Sequence, residues 1–260
     1  MEYLITANTD IGIKKRTNQD ALTVKLFETK LGKIVLAVLC DGMGGLSKGE
    51  VASAALVLRF EKWVQEQLPQ LVENGLKDSE LRQQWEQLII EEGRVIMDYG
   101  KRQGVNLGTT VTAMLITPFR YYIANVGDTR AYEIQNTVQC LTRDHTLVAR
   151  EVAQGLLTPE QAAVDERRSI LLQCVGASEQ IYPDFFFGDT KGNAVYMLCS
   201  DGFRHEITEE EMHRLLNPNV LQDETTMNQN ALLLICWNKA RQEKDNISII
   251  LIRTYQEGIC

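Results

Sequence analysis

The run Ile34 to Cys40, I-V-L-A-V-L-C, is followed at once by Asp41-Gly42. Seven apolar residues in succession, bounded by turn signals, read as a strand buried on both faces, which needs a covering layer above and below. Glycines continue at Gly44 and Gly45, and Ser47 with Glu50 forms a capping box, so a helix is expected just beyond. One carboxylate, Asp41, is thereby left at the tip of a rigid strand. Asp-Gly is also a common hairpin turn, and taken alone the pair reads as that. The chain repeats the pattern, however. Ala194 to Cys199 is a second apolar strand, Ser200-Asp201-Gly202 ends it, and Thr208 with Glu211 forms a second capping box.

The other elements follow from periodicity. Tyr3, Ile5 and Ala7 alternate with polar residues, as do Leu22, Val24 and Leu26, so residues 2–29 predict two strands. The polar link between them, Lys14 to Asp20, reads as solvated. Helices are expected over 51–68 and 80–103, with Pro69 and Asn74-Gly75 marking the break. Strands follow over 111–116 and 121–126, the second running to Gly127-Asp128-Thr129-Arg130, and a short strand over 131–134. A helix reaches Gln154, Thr158 and Pro159 open another, and the charge-rich stretch 147–168 reads as an exposed excursion. A helix over 230–241 and a closing strand over 247–252, opened by Asp245-Asn246, complete the chain. No proline- or glycine-rich linker interrupts it, so residues 1–260 are expected to form one domain.

Composition narrows the function. A net charge of -8 argues against a general nucleic-acid binder. The six cysteines include no C-x-x-C pair, and most lie in or beside apolar runs, which suits buried thiols in a reducing cytoplasm. No apolar run approaches the ~20 residues that span a bilayer, and the N-terminus shows no signal-peptide pattern, so neither membrane nor export is expected.

Five acids fall at predicted strand ends: Asp20, Asp41, Asp128, Asp201 and Asp245. If two sheets lie face to face, one edge gathers them. Clustered carboxylates resist ionisation unless cations neutralise them. All-oxygen ligation suits Mg²⁺ or Mn²⁺, while His145, His205 and His213 show no zinc-ligand spacing. Two such ions about 4 Å apart can activate water and clamp the attacked group. Arg16 would add a planar fork for a phosphate oxyanion. Metal-assisted phosphate-ester hydrolysis is the chemistry these residue types suit best.

The segments R-T-N-Q-D (16–20), D-G-M-G-G (41–45), G-T-T (108–110), V-G-D-T-R (126–130), T-R-D-H-T (142–146), C-S-D-G (199–202) and D-N-I-S (245–248) resemble, in order, the motif series of the protein phosphatase 2C-like family of metal-dependent serine/threonine phosphatases, in its bacterial form. The resemblance spans about residues 5–253. It implies an α+β fold, a four-layer αββα sandwich of two packed antiparallel sheets flanked by helices. It implies that Asp41 bridges two Mn²⁺ or Mg²⁺ ions, that the Gly42 carbonyl binds one, and that Asp201 and Asp245 complete the first ion's shell. Asp20 would act through metal-bound water, Arg16 would bind the substrate phosphate, and Asp128 would belong to a weaker third ion's site. Residues 147–168 would form the family's flap. The implied reaction is attack of a metal-bound hydroxide on phosphoserine or phosphothreonine in proteins, those of a cognate serine/threonine kinase, by a monomeric enzyme.

Two positions depart from the family pattern. Gln19 stands where glutamate is frequent, which bears on second-ion affinity. Met43 stands where eukaryotic members often carry a histidine proposed as general acid, and methionine cannot donate a proton. His145 is expected to be a structural hydrogen-bonder rather than the replacement. The competing reading is a catalytically inactive relative that binds a phosphoprotein or kinase as a scaffold; retention of every expected metal aspartate weighs against it. A narrower enzyme reading is a phosphatase acting on an anti-sigma antagonist or a similar switch protein.

Overall fold

The strand does not end with the apolar run: it spans Gly32–Met43 and carries Asp41 and Gly42 within it. A computed structural model describes residues 1–43 and 48–256. In chain order the strands are β1 (Glu2–Asp10), β2 (Asp20–Thr29), β3 (Gly32–Met43), β4 (Gly108–Thr109), β5 (Val111–Ile116), β6 (Arg120–Val126), β7 (Arg130–Ile134), β8 (Val138–Cys140), β9 (Asp184–Asp189), β10 (Ala194–Cys199) and β11 (Ile247–Tyr255). The helices are α1 (Gly49–Glu66), α2 (Leu68–Glu73), α3 (Asp78–Gln103), α4 (Leu147–Ala153), α5 (Pro159–Val164), α6 (Asp201–Arg204), α7 (Glu209–Leu216) and α8 (Glu224–Ala240).

Two antiparallel sheets result. One runs β1-β11-β10-β7-β8 and the other β2-β3-β5-β6-β9, with β4 paired to the end of β3. The two-faced burial of β3 explains its composition. Ile34, Leu36, Val38 and Cys40 join the core under α1 and α3, which supply Phe60, Trp63 and Trp85. Val35, Ala37 and Leu39 point the other way, into the core between the sheets. In β11, Ile247, Ile249 and Leu251 pack with Leu234 and Ile235 of α8, while Ile250 and Ile252 enter the inter-sheet core. With helices outside both sheets, this is the expected αββα sandwich. A chain with period-2 apolar residues on both strand faces has no other way to hide them.

Local sequence sets the element ends. Asp78 and Glu80 lie in the first turn of α3, Lys101 and Arg102 in its last, and Gly104 at φ 65 terminates it, an arrangement that complements the helix dipole. The Thr158–Gln161 and Thr208–Glu211 capping boxes both form, the first opening α5 and the second α7. The Ser47–Glu50 box expected before α1 falls on Ser47, outside the described residues. Several expectations are revised. Helix α2 occupies the break marked by Pro69 and Asn74-Gly75, and the short α6 starts at the Asp201-Gly202 pair read as a strand end. Strand β9 forms from Phe185-Phe186-Phe187, which lacks alternation, and β8 is too short to show it. Helix α8 begins at Glu224, capped by Asp223 through a 2.8 Å bond from the Thr226 N–H, well before the apolar residues that signalled it.

Candidate active site

Antiparallel pairing brings the acids together. Asp20, the first residue of β2, is paired opposite Asp41 in β3. In the other sheet β10 ends beside the start of β11, where the Ser200 N–H donates to the Ser248 carbonyl at 3.1 Å and the Ser248 N–H to the Ser200 hydroxyl at 3.0 Å. Asp201 opens α6 immediately after β10, and Asp245 lies two residues before β11. The sheets meet where the Ser248 hydroxyl donates to Asp20 Oδ2 at 2.6 Å. Behind it a line of donors runs from Asn18 Nδ2 to Thr9 Oγ1 at 2.7 Å and from Thr9 to Ser248 at 2.7 Å.

Backbone proximity around this edge depends on missing side chains. A Cβ on Gly42 would lie 2.3 Å from the Gly49 carbonyl oxygen and 2.6 Å from that of Gln19, which accepts from the Gly42 N–H at 3.0 Å. On Gly202 a Cβ would lie 2.2 Å from the Asn246 carbonyl oxygen. Asn246 fastens the 11–19 segment: its Oδ1 accepts from the Gln19 N–H at 2.8 Å and its Nδ2 donates to the Ile11 carbonyl at 3.0 Å. Asp41 is fixed through its own backbone, whose N–H donates to Thr110 Oγ1 at 2.9 Å and whose carbonyl accepts from the Thr110 N–H at 2.8 Å. The G-T-T segment therefore holds the strand that carries the acid.

The electrostatics follow. Burial, then Asp201 and Asp245, push Asp20 up to about 7 against the opposing bond from Ser248. Burial and the neighbouring Asp20, Asp201, Asp128 and Asp245 raise Asp41 well above the usual carboxylate range. Burial and Asp201 push Asp128 up to about 7, although Arg204 opposes this. Buried Asp20 Oδ1 and Asp201 Oδ1 have no hydrogen-bond partner. Mutually repelling acids with orphaned oxygens are what hard cations relieve, so the donor set fits Mg²⁺ or Mn²⁺. Among the described residues no three acidic, cysteine or histidine side chains stand in ready coordinating positions. Sites for these ions keep several water ligands, so a loose ring of carboxylates is no obstacle.

A mouth of about 520 Å³ reaches Asp201 and Asp245 and is lined also by Lys14, Lys15, Arg16 and Lys244 among others. Arg16 is exposed there. The neighbouring Lys15, read from sequence as solvated, is exposed and also places its ammonium 2.6 Å from Asp245 Oδ1. His205 was also missed. Its Nε2 lies 3.6 Å from Asp201 Oδ2 and its Nδ1 3.2 Å from Glu243 Oε2, and the other oxygen of Glu243 accepts from the Asp245 N–H at 2.8 Å. No spacing signal linked it to Glu243. Asp128 sits apart from the mouth beside Arg204, with Asp144 and Arg130 behind. His145 is engaged structurally: its Nδ1 accepts from the Gly127 N–H at 3.2 Å and from Gln173 Nε2 at 2.8 Å, leaving Nε2 to face Asp184 at 3.3 Å. The excursion 147–168 borders a second cavity of about 930 Å³, into which Arg143, Arg168 and Tyr182 project.

The family model described as protein phosphatase 2C matches residues 13–232. The serine/threonine phosphatase stp of Listeria innocua is 31% identical over 249 residues, covering 94% of this chain and 93% of its own. The crystal structure of the serine/threonine phosphatase Stp1 from Staphylococcus aureus matches with a TM-score of 0.84 at 27% identity, over 98% of this chain and 96% of that one. The catalytic domain of the serine/threonine phosphatase PstP, solved in complex with two manganese ions, shares the fold at a TM-score of 0.77 and 22% identity, over 98% of this chain and 99% of that one.

Proposed function

The chain belongs to the protein phosphatase 2C family, and from that premise we propose that it is a metal-dependent phosphatase of phosphoserine and phosphothreonine in proteins. The observation that carries the proposal is the pairing of Asp20 opposite Asp41, with the partnerless oxygens Asp20 Oδ1 and Asp201 Oδ1 beside them under a mouth rimmed by cations. Asp41, Asp201, Asp245, Asp20 and the Gly42 carbonyl would hold Mg²⁺ or Mn²⁺. The bound ions would cancel the carboxylate charge, make a coordinated water acidic enough to act as nucleophile near neutral pH, and polarise the phosphoryl oxygens.

The chain's own residues supply the rest. Arg16 and Lys15 draw the phosphate into the mouth, Arg16 with the planar fork that matches phosphoryl oxygens. Ser248 keeps a hydroxyl proton on Asp20 Oδ2, fixing which oxygen of that carboxylate remains open. Glu243 orients His205 towards Asp201 and holds the Asp245 backbone. The 147–168 segment acts as a flap beside the substrate approach within a single, monomeric catalytic domain. The substrates belong to a cognate serine/threonine kinase. The five cysteines of the described residues are all unpaired, which supports a cytoplasmic setting.

The test is hydrolysis of phosphothreonine, phosphoserine and phosphotyrosine peptides with and without Mn²⁺, alongside Asp41→Asn and Asp201→Asn. Metal-dependent activity on the first two peptides, lost in both variants, is expected. Activity that survives both substitutions and excess EDTA overturns the mechanism, and failure to bind metal at all favours a scaffold.

A further inference from the structure

We propose that Arg204 fills, from within the chain, the cation position beside Asp128, so that the carboxylate site takes two divalent ions and not three. The inference rests on the metal-dependent reading above and specifies its ion count. Arg204 ends α6, the one-turn helix that Asp201 begins, so the turn that presents one acid to the site also returns a guanidinium to another. Its side chain is 14% exposed. Nη2 donates to the Asp128 carbonyl at 3.2 Å and to Asp144 Oδ2 at 3.2 Å, and stands 3.8 Å from Asp128 Oδ2. Asp144 is already gripped by Arg130 through two bonds of 2.8 Å.

Charge counting separates the acids into two sets. Asp128 and Asp144 face Arg130 and Arg204, two negative charges against two positive ones. Asp20, Asp41, Asp201 and Asp245 remain, four negative charges faced by the Lys15 ammonium on Asp245 alone, which leaves a charge for divalent ions to neutralise. Among the described residues, the buried carboxylate oxygens without a hydrogen-bond partner are Asp20 Oδ1 and Asp201 Oδ1, both in the second set. A guanidinium stays protonated at any working pH, so it does not yield the place by losing its proton. A divalent ion at Asp128 would have to sit at contact distance from that fixed charge, in an interior where screening is weak.

Calorimetric titration with Mn²⁺ on the full chain reads the ion count directly, without reference to turnover. The wild type is expected to bind two ions, and Asp128→Asn to keep both. Arg204→Gln is expected to gain a third, weaker site that disappears again in Arg204→Gln/Asp128→Asn, while Arg204→Lys keeps the count at two. Three ions in the wild type, or an Asp128→Asn variant that loses one, overturns the proposal. So does an Arg204→Gln protein that unfolds cooperatively yet still binds only two. If Arg204→Gln does not fold, the wild-type and Asp128→Asn counts decide alone. Absence of any Mn²⁺ binding overturns the metal-dependent reading itself, an outcome distinct from a count of three.

Discussion

Ser248 and Asp20 belong to different sheets, and the 2.6 Å bond from the serine hydroxyl to Asp20 Oδ2 ties the sheets together at the site. The bond leaves Asp20 Oδ1 as the open oxygen. Ser248→Ala removes the donor without adding bulk and strands both oxygens of a buried carboxylate. A hydrogen bond to a charged group is worth about 1.5–3 kcal/mol, so a fall in stability of that order is expected in urea titrations of the metal-free protein. Groups that orient metal ligands typically govern affinity by roughly 10- to 100-fold. Mn²⁺ affinity should weaken within that range, and an unchanged titration curve would remove Ser248 from the site's support.

The raised acids make metal-free stability fall with pH. A carboxyl held above its unfolded value binds more protons in the folded state than in the unfolded one. Stability from that excess is present at low pH and is lost as pH rises through the interval between the two values. For Asp20 and Asp128 the interval runs from 3.8 to about 7. In EDTA, their contribution should drive the melting temperature down across that interval. Mn²⁺ competes with those protons, so the increase in melting temperature on adding it should be larger at pH 8 than at pH 5. A metal-induced shift independent of pH would contradict the clustered-acid account.

Glycine at 202 and at 12 lets the 245–246 turn lie against backbone from two directions. A Cβ on Gly12, which also has φ 77, would lie 2.2 Å from the Asp245 carbonyl oxygen, the mirror of the Gly202 contact with Asn246. The obstructing atoms are backbone, so neither Gly12→Ala nor Gly202→Ala can be absorbed by a rotamer change. Each should destabilise by about 1–3 kcal/mol, as overpacked positions do, measurable as a lower urea midpoint. Gly155→Ala is the control for backbone conformation alone, since it shares a positive φ of 72 but nothing lies within 4 Å of its Cβ. Its loss should be smaller than that of Gly12→Ala.

Much of the fold was legible because its central strands are extreme. Ile34 to Cys40 and Ile247 to Ile252 are apolar at every position but Ser248, and only a double-sided core accounts for such runs. The acids were legible because the pattern that ends β3 recurs after β10. What escaped was information held by neighbours. Phe185-Phe186-Phe187 shows no alternation and becomes a strand only because β6 offers it an edge. Arg204 and His205 follow a recognisable Asp-Gly, but their partners Asp144 and Glu243 are distant in sequence, so spacing could not join them. Lys15 looked like one base in a solvated run. Only the approach of the 245 turn gives it a carboxylate partner.

Lys15 and Arg16, adjacent in the chain, should therefore separate by experiment. The Lys15 ammonium rests on Asp245, an acid assigned here to the metals, while Arg16 stands exposed in the mouth. Burial pulls Lys15 down, but its bond to Asp245 and the charges of Asp245, Asp41 and Asp201 outweigh that and raise it. The ammonium is thus a fixed cation competing for a metal carboxylate. A half-exposed ion pair is worth at most about 1 kcal/mol, so Lys15→Met should tighten Mn²⁺ binding by up to roughly fivefold. The same change removes a positive charge facing the phosphate and should raise KM for a phosphothreonine peptide. Arg16→Met should raise KM more, because a bidentate partner is lost, and leave Mn²⁺ affinity unchanged. Weaker Mn²⁺ binding in Lys15→Met would mean that the ammonium supports the metal site rather than contesting it. A metal effect in Arg16→Met of the same size as in Lys15→Met would show that the two bases act only through their summed charge.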